Sequence, residues 1–499
     1  MTTLPRPDPS VLAVRTDIHL RPDPSRVFAR LFIPGQEDYG ATQSRASAVL
    51  DRVLELQDSE VTQALADVQM RFVNRHHDID YWLDLHAHRV AARLDAPVRL
   101  SDDRWKLIGA YFTHEFSVEG AALTNPSVVP HLDQSGLAAG ELRFAMSVRC
   151  IGEGHRSSIG FRTGVIDLLG NVRMETAGGN LDTGLHSEGH LRHRAFLGLL
   201  ESMDDFGENA RYVLHQLGEV FTRSELEEQI NRLLHDRDTY RNAEITAQHF
   251  RGIADRTYSV SFSEGSRLSE RIIWPHSPAE WRGMEDARFV KFDDPDLGSV
   301  YFATYTAFDG VDISQQLLST RDFLTFHATP ASGRAARGKG LALFPRKIDG
   351  KFYALSRADR ESNAVTRSSH LEYWDESVDI QIPRRSWEVV QLGNCGSPIE
   401  TADGWLVLTH AVGPMRTYCI SAILLDRDDP TKVIGSLDTP LLAPTELEQD
   451  GYVPNVVYSC GALRHENLLM IPFGIADQSI GIAVADLDEV LDQMAPNGR

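Results

Sequence analysis

The richest concentration of groups able to do acid–base chemistry is Trp281-Arg-Gly-Met-Glu-Asp-Ala-Arg-Phe-Val290. Glu285 and Asp286 are adjacent carboxylates between Gly283 and a strand-like run, Arg288–Phe292, with Arg282 and Arg288 close by. A carboxylic acid held at a strand start beside cations can donate a proton or bind sugar hydroxyls. The plainer reading of these residues alone is a turn with a surface ion pair. Groups further along sharpen the first reading. Lys339 sits in Arg337-Gly-Lys-Gly340, Arg357 ends the run Lys351–Arg357, His410 ends Trp405–Thr409, and Tyr418 opens the next run. Arg offers a planar fork, Lys a point charge, and His and Tyr directional donors. Brought together they would cradle phosphate, sulfate or carboxylate; taken singly, each reads as a strand-end residue paired with an acid. Asp477 is a loop carboxylate suited to bidentate hydrogen bonding of sugar hydroxyls. Gly393–Thr401 reads as a sugar-binding loop or as a turn that lets the backbone approach closely.

The elements that must position these groups are mostly short strands. From about residue 105, apolar runs of strand length recur, among them Arg143–Cys150, Tyr258–Ser263, Val300–Phe308, Tyr418–Asp426 and Ile480–Leu487. Turn dipeptides separate many of them: Asp309-Gly310, Asp349-Gly350 and Asp403-Gly404. This is the pattern of many-stranded antiparallel structure. The repeated Asp-Gly hairpin favours a propeller or a related radial repeat. In such a fold, strand ends from different blades converge on one mouth. Residues 1–104 read as an N-terminal helical region. Ala46, Val49, Leu50 and Val53 follow helical spacing, Asp58-Ser59 reads as a cap, and Tyr81, Trp82, Leu85 and His88 suggest a third helix. Residues 105–499 read as the catalytic β domain, interrupted at about 190–250 by a helical insertion. There Thr222 and Glu225 have capping-box spacing ahead of Leu226, Ile230, Leu233 and Leu234.

Composition narrows the partners. The chain has 499 residues, 42% of them hydrophobic and 24% charged, with a net charge of −21. That acidity argues against nucleic acid or an anionic membrane as partner, since both require a basic face. Any anionic substrate then needs a locally basic pocket. The N-terminus shows no apolar leader segment, and no run approaches the ~20 apolar residues of a membrane helix. Four scattered cysteines read as reduced, buried thiols, so a cytoplasmic enzyme is expected. His186, His190 and His193 have ligand-like spacing, but no nearby carboxylate or cysteine frames a metal site, and no metal is expected.

Taken in order, several motifs resemble glycoside hydrolase family 130, the inverting β-mannoside phosphorylases and related β-mannosidases. They are Thr124-Asn-Pro-Ser127, Val148-Arg149, Gly283–Arg288, Leu343–Lys351, Ser356-Arg357, Ser397–Leu406, Thr409–Val412, Tyr418, Leu424–Asp426, Gly451–Val457 and Ile475–Asp477. The resemblance covers most of residues 115–490 and implies a five-bladed β-propeller. It makes Asp286 the proton donor, acting through a hydroxyl of the bound mannose. It gives Lys339, Arg357, His410, Tyr418 and Asn125 to inorganic phosphate, a co-substrate, with no cofactor. Arg149, Glu285, Arg288 and Asp477 would contact the sugar. Ala287 replaces the family's proline, and His410-Ala-Val412 its His-Gly-Val. The helical segments are additions to the shorter phosphorylases and could shape the acceptor side or a homo-oligomer contact.

The expected activity is transfer of mannosyl from a β-mannoside to phosphate, giving α-mannose 1-phosphate. The alternative is an inverting β-mannosidase, with Glu361 as the suspected base. A remoter one is a non-catalytic carbohydrate-binding propeller.

Overall fold

Strand-forming runs closed by polar turns account for most of this fold. The computed structural model describes residues 12–34, 44–94, 100–236 and 242–496. The first eleven residues, read above for a leader, lie outside them. The chain divides into two units, one of residues 1–22, 121–177 and 183–499, the other of residues 23–120 and 178–182.

The larger unit is mainly β. One ten-stranded sheet carries Ala122–Pro130, Leu142–Ile151 and Ser157–Ile166, then Gly283–Asp294, Gly298–Phe308, Ile313–Thr320 and Thr325–Pro330. Tyr258–Ser261 and Leu185–Glu188 extend it, and Val172–Met174 pairs on the side of Ser157–Ile166. Its two halves meet at one parallel residue pair, Gly283 with Ser157. A four-stranded sheet holds Ala342–Leu343, Phe352–Ser356, Asn363–Ser368 and Ser377–Gln381. A six-stranded sheet is built around Gln391–Asn394, Trp405–Val412, Tyr418–Leu425 and Val433–Ser436. A five-stranded sheet joins Ala13–Leu20 to Ser479–Asp486, Leu468–Ile475 and Val457–Tyr458. The turns behave as their residues dictate. Asp309 Oδ1 accepts from the amides of Val311 at 2.8 Å and Asp312 at 2.7 Å, closing the hairpin before Ile313. Phe161, Phe289, Tyr301 and Phe326 fill one core cluster; Leu406, Ile420, Leu469 and Ile471 fill another.

Four helices interrupt the larger unit: His193–Ser202, Glu208–His215, Arg223–Asp236 and Ala243–Ala254. They bury their own cluster, including Phe196, Leu200, Val213, Leu226, Ile230 and Phe250. The expected capping box is present. Glu225 Oε2 accepts from the Thr222 amide at 2.7 Å, and the Glu225 amide donates to Thr222 Oγ1 at 3.3 Å.

The smaller unit contains helices Ser44–Glu55, Asp58–Phe72, Ile79–Leu94 and Asp102–Tyr111, with the strand pair Val27–Leu31 and Thr113–Ser117. Two details differ from the sequence reading. The second helix is capped by Gln57 and Glu60 rather than by Asp58-Ser59. Asp58 is instead engaged by Arg104, whose guanidinium also donates to the carbonyls of Val53, Leu54 and Leu56. The fourth helix was not anticipated, although Ser101 caps it by accepting from the Arg104 amide. The strand Ala13–Leu20, inside the region 1–104 read as helical, pairs with Ser479–Asp486 in the larger unit. Its register shifts between Arg15 and His19, which breaks the alternation by which a strand is read. Among the described residues no helix is long and apolar enough to cross a membrane.

Trp405 tests the packing. It is fully buried, lies edge-on to Phe344 at 5.1 Å, and donates from Nε1 to the Arg427 carbonyl at 3.0 Å. Trp405→Ala is expected to cost about 3–5 kcal/mol, combining lost burial with a cavity. Urea unfolding of the β unit would read this as a lowered midpoint.

Candidate active site

Strand ends and turns of the larger unit deliver the singled-out groups to one cavity of about 180 Å³. Asn125, Arg149, Asp286, Lys339, Arg357, His410, Tyr418 and Asp477 all line it, together with Gln391, Arg416, Val456 and Tyr458. Two bulges aim key side chains inward. The strand Gly283–Asp294 slips register between Glu285 and Arg288, and Ala122–Pro130 between Thr124 and Ser127. An extra residue bends a strand and redirects the side chain it carries. At those bulges Asp286 and Asn125 have φ of 55° and 47°, and Asp477 has 51° in its turn. Asp and Asn tolerate the left-handed region better than other side-chain-bearing residues, and such positions cluster where chemistry needs a fixed geometry.

Glu285 and Arg288 stand behind this lining. Glu285 Oε1 accepts from Arg149 Nη2 at 2.6 Å, and Oε2 accepts from Lys339 Nζ at 2.6 Å. One carboxylate therefore fixes two cavity cations, from residues 136 and 54 positions away. Arg288 is buried and donates to the Asp286 carbonyl and to Tyr458 Oη, both at 2.8 Å. Its Nη2 also lies 3.9 Å from Asp286 Oδ2.

These charges set the protonation states. Burial pushes the Asp286 carboxyl up, but Lys339, then Arg288 and Arg149, outweigh it and hold it below the usual carboxylate range. Asp477 behaves oppositely. Burial raises it, Arg149 offsets only part, and Thr124 Oγ1 donates to it at 3.3 Å. Burial, with Arg357 and Arg288, drives the His410 imidazole well below 6.5. The ring is thus neutral. Its Nδ1 faces the Asn394 carbonyl at 3.2 Å, so Nδ1 carries the proton and Nε2 accepts from Arg357 Nη1 at 3.0 Å. The imidazole orients the Arg357 fork. Gly393 makes room for this, since a Cβ there would fall on the His410 ring. The segment Gly393–Thr401 thus includes a position of close approach, the second of its two readings.

Arg357 Nε, Arg149 Nε and Asn125 Oδ1 are buried without a hydrogen-bond partner. Buried polar atoms normally find one, so two unpartnered guanidinium donors and one amide acceptor around a cavity fit a ligand that brings both oxygens and hydroxyls. Four lining residues escaped the sequence reading: Gln391, Arg416, Val456 and Tyr458. Gln391 Nε2 donates to Tyr418 Oη at 3.3 Å, and the Arg416 guanidinium lies 5.9 Å from the Tyr418 ring centre. Arg416 stands in a left-handed turn before the strand that opens at Tyr418, so strand alternation gives no signal for it. Glu361, suspected as a hydrolytic base, does not line the cavity and is exposed. Its amide donates to Asp359 Oδ1 at 3.0 Å in a local turn. Among the described residues no cluster of His, Cys, Asp or Glu is placed to hold a metal ion. His186 instead stacks on His276 at 4.1 Å.

The depressed His410 value carries a stability consequence. Below its ordinary 6.5 the unfolded chain binds a proton that the folded site refuses, so stability falls as pH drops from 6.5 toward the folded value. His410→Gln removes that contribution. Urea unfolding at pH 7 and pH 5 should show a smaller loss for the variant than for the parent protein.

The family profile described as beta-1,4-mannooligosaccharide phosphorylase, Glyco_hydro_130, matches residues 238–496. The chain is 34% identical over 229 residues to the 1,2-beta-oligomannan phosphorylase of Thermoanaerobacter sp. (strain X514), covering 45% of this chain and 75% of that one. It is 31% identical over 259 residues to the beta-1,2-mannobiose phosphorylase of the same strain, covering 50% and 82%. A solved structure of the Listeria innocua beta-1,2-mannobiose phosphorylase with beta-1,2-mannobiose aligns at 21% identity and a TM-score of 0.46, over 76% of this chain and 93% of that one. Asn125 and Arg149 precede the profile match, while the other cavity residues fall within it. The profile spans just over half of the chain, and with these relatives it makes the chain a member of glycoside hydrolase family 130.

Proposed function

We propose that this protein phosphorolyses β-mannosides, transferring the mannosyl unit to inorganic phosphate with inversion to give α-mannose 1-phosphate. The carrying observation is the single cavity in which Asp286 shares space with Lys339, Arg357, Arg149 and Arg416. Phosphorolysis needs an acid on the leaving side and an anionic nucleophile on the opposite face of the sugar. Phosphate is itself that nucleophile, so no protein base is required. Lys339 and the Arg357 fork bind and orient it, with Tyr418, Asn125 and Arg416 completing the cradle. His410 contributes by fixing Arg357. Asp477, kept toward its neutral form, and Arg149 hold the mannosyl hydroxyls.

The acid acquires its proton through the same electrostatics. With the cradle empty, the cations keep Asp286 ionised. A phosphate dianion cancels much of that field, burial then dominates, and the carboxyl rises and takes up a proton from solvent. Asp286 passes that proton, through a mannose hydroxyl, to the departing glycosidic oxygen. The C–O bond to the leaving sugar breaks as phosphate oxygen bonds to the anomeric carbon.

A hydrolytic reading needs a carboxylate base facing a water. The cavity carboxylates among the described residues are Asp286 and Asp477, and neither Glu361 nor Asp359 reaches it. The sheets support a five-bladed reading of the β unit. Divided at the Gly283–Ser157 pair, the ten-stranded sheet gives two blades, and the four-, five- and six-stranded sheets give one each. The N-terminal strand Ala13–Leu20 then completes the last blade. Four buried cysteines fit a reducing, cytoplasmic setting.

Incubation with β-1,2- or β-1,4-mannobiose should yield α-mannose 1-phosphate in proportion to added phosphate. Release of free mannose at a rate indifferent to phosphate would reverse the assignment to hydrolysis. Asp286→Asn should lower kcat by about 10²–10⁴-fold while leaving the unfolding midpoint near that of the parent. Arg357→Ala should raise the KM for phosphate at least about tenfold, since a charge-assisted fork contact is lost.

A further inference from the structure

Around the turn that follows Leu142–Ile151, the strand of Arg149, stands aromatic surface the proposed chemistry leaves unused. Trp281 is 57% exposed and Tyr452 is 52% exposed. Each is held by a partner from the turn between Leu142–Ile151 and Ser157–Ile166. The Arg156 guanidinium lies 4.5 Å from the Trp281 ring centre and 5.9 Å from that of Trp274. Tyr452 Oη and His155 Nδ1 are 3.0 Å apart. An aromatic ring braced this way keeps its orientation while over half of it faces solvent.

Strand register fixes where this turn stands relative to Arg149. Gly283 pairs with Ser157, and Arg149 pairs with Ile159, two positions further in. Arg156, three positions before Ile159, therefore stands about 10 Å from Arg149 along the strand, at the strand rise of ~3.3 Å per residue, and the Trp281 ring packs on its guanidinium. Trp281 stands two residues before Gly283, which opens the strand that carries Asp286. The segment Gly451–Val457 was a motif without an assigned role. It is pinned to the site at both ends: Val453 N donates to the Ala476 carbonyl at 2.8 Å, beside Asp477, and Tyr418 N donates to the Asn455 carbonyl at 2.9 Å. Gly451 permits that seat, because a Cβ there would come within 2.5 Å of the Ala476 Cβ.

We infer that Trp281, braced by Arg156, and Tyr452, braced by His155, form the surface that receives the leaving sugar of the β-mannoside. The inference rests on the phosphorolytic reading above and adds which residues bind the acceptor unit. In inversion the leaving group sits on the acid side, opposite phosphate. The C–H face of a pyranose is apolar and packs on an aromatic ring, while its hydroxyls find Arg156 and His155 at the ring edges. The rings thus act on acceptor affinity and chain-length preference rather than on bond cleavage.

The test runs the reaction in the synthetic direction, with α-mannose 1-phosphate as donor and mannose or mannobiose as acceptor, reading phosphate release. Trp281→Ala and Tyr452→Ala should each raise the acceptor KM about tenfold. The KM for α-mannose 1-phosphate should move less than twofold, and Trp281→Phe should recover most of the loss. Acceptor KM values unchanged in both alanine variants would overturn the inference while the phosphorolytic reading stood. A parent protein that releases no phosphate with any acceptor would overturn that reading and this inference with it. Calorimetric titration of β-1,2- and β-1,4-mannobiose into Asp286→Asn, with and without Trp281→Ala, gives a readout independent of turnover. Weaker binding in the double variant supports the platform; binding of both disaccharides unchanged by Trp281→Ala overturns it.

Discussion

A carboxylate taken out of water is costly to ionise, and Asp286 is ionised only because three cations surround it. That balance of burial against local positive charge is what the rest of the site serves. It demands that Lys339, Arg149 and Arg288 be held without the very anion they attract. Glu285 does this for two of them, accepting from Arg149 and Lys339 with one oxygen each. Arg288 is held by the Asp286 carbonyl and by Tyr458. In a chain of net charge −21, such a basic pocket has to be built deliberately, and long-range pairing builds it.

The backbone carries the matching cost. Asn125, Asp286 and Asp477 sit in the left-handed region, and so do Ala476, Met415, Arg416 and Asn455 around them. Each such residue stores of order 1–3 kcal/mol that the surrounding sheets must offset. They do so because the cavity is assembled from strand ends anchored in fully paired, buried strands. The two bulges place Asn125 and Asp286 in the same cavity from different strands of one sheet. Precision at the mouth is thus derived from rigidity in the sheets below.

This division explains what could be read from the sequence. Periodicity and turn chemistry are local, so the helical insertion with its Thr222–Glu225 box, the Asp-Gly hairpins and most strands were legible. The residue types of the acid and the anion cradle were legible too, because Asp, Lys, Arg, His and Tyr at strand ends carry their chemistry with them. What Glu285 does was not, since its partners lie 136 and 54 residues away. Nor was the neutral, arginine-orienting state of His410, which follows from a carbonyl on one side and a guanidinium on the other. Arg416 was hidden by a turn in which Met415 and Arg416 are both left-handed and fold back toward Tyr418, a geometry that no sequence period announces. The Ala13–Leu20 strand escaped because an irregularity between Arg15 and His19 breaks its alternation.

In the proposed mechanism phosphate, by filling the cradle, hands Asp286 its proton. Calorimetric titration of inorganic phosphate at one pH, in buffers of differing ionisation enthalpy, measures protons taken up per phosphate bound. Comparison with Asp286→Asn removes the contribution of phosphate's own titration. The account requires the parent protein to take up more protons than the variant. Equal proton counts in the two proteins would contradict it, because the acid and the anion cradle would then not be electrostatically linked.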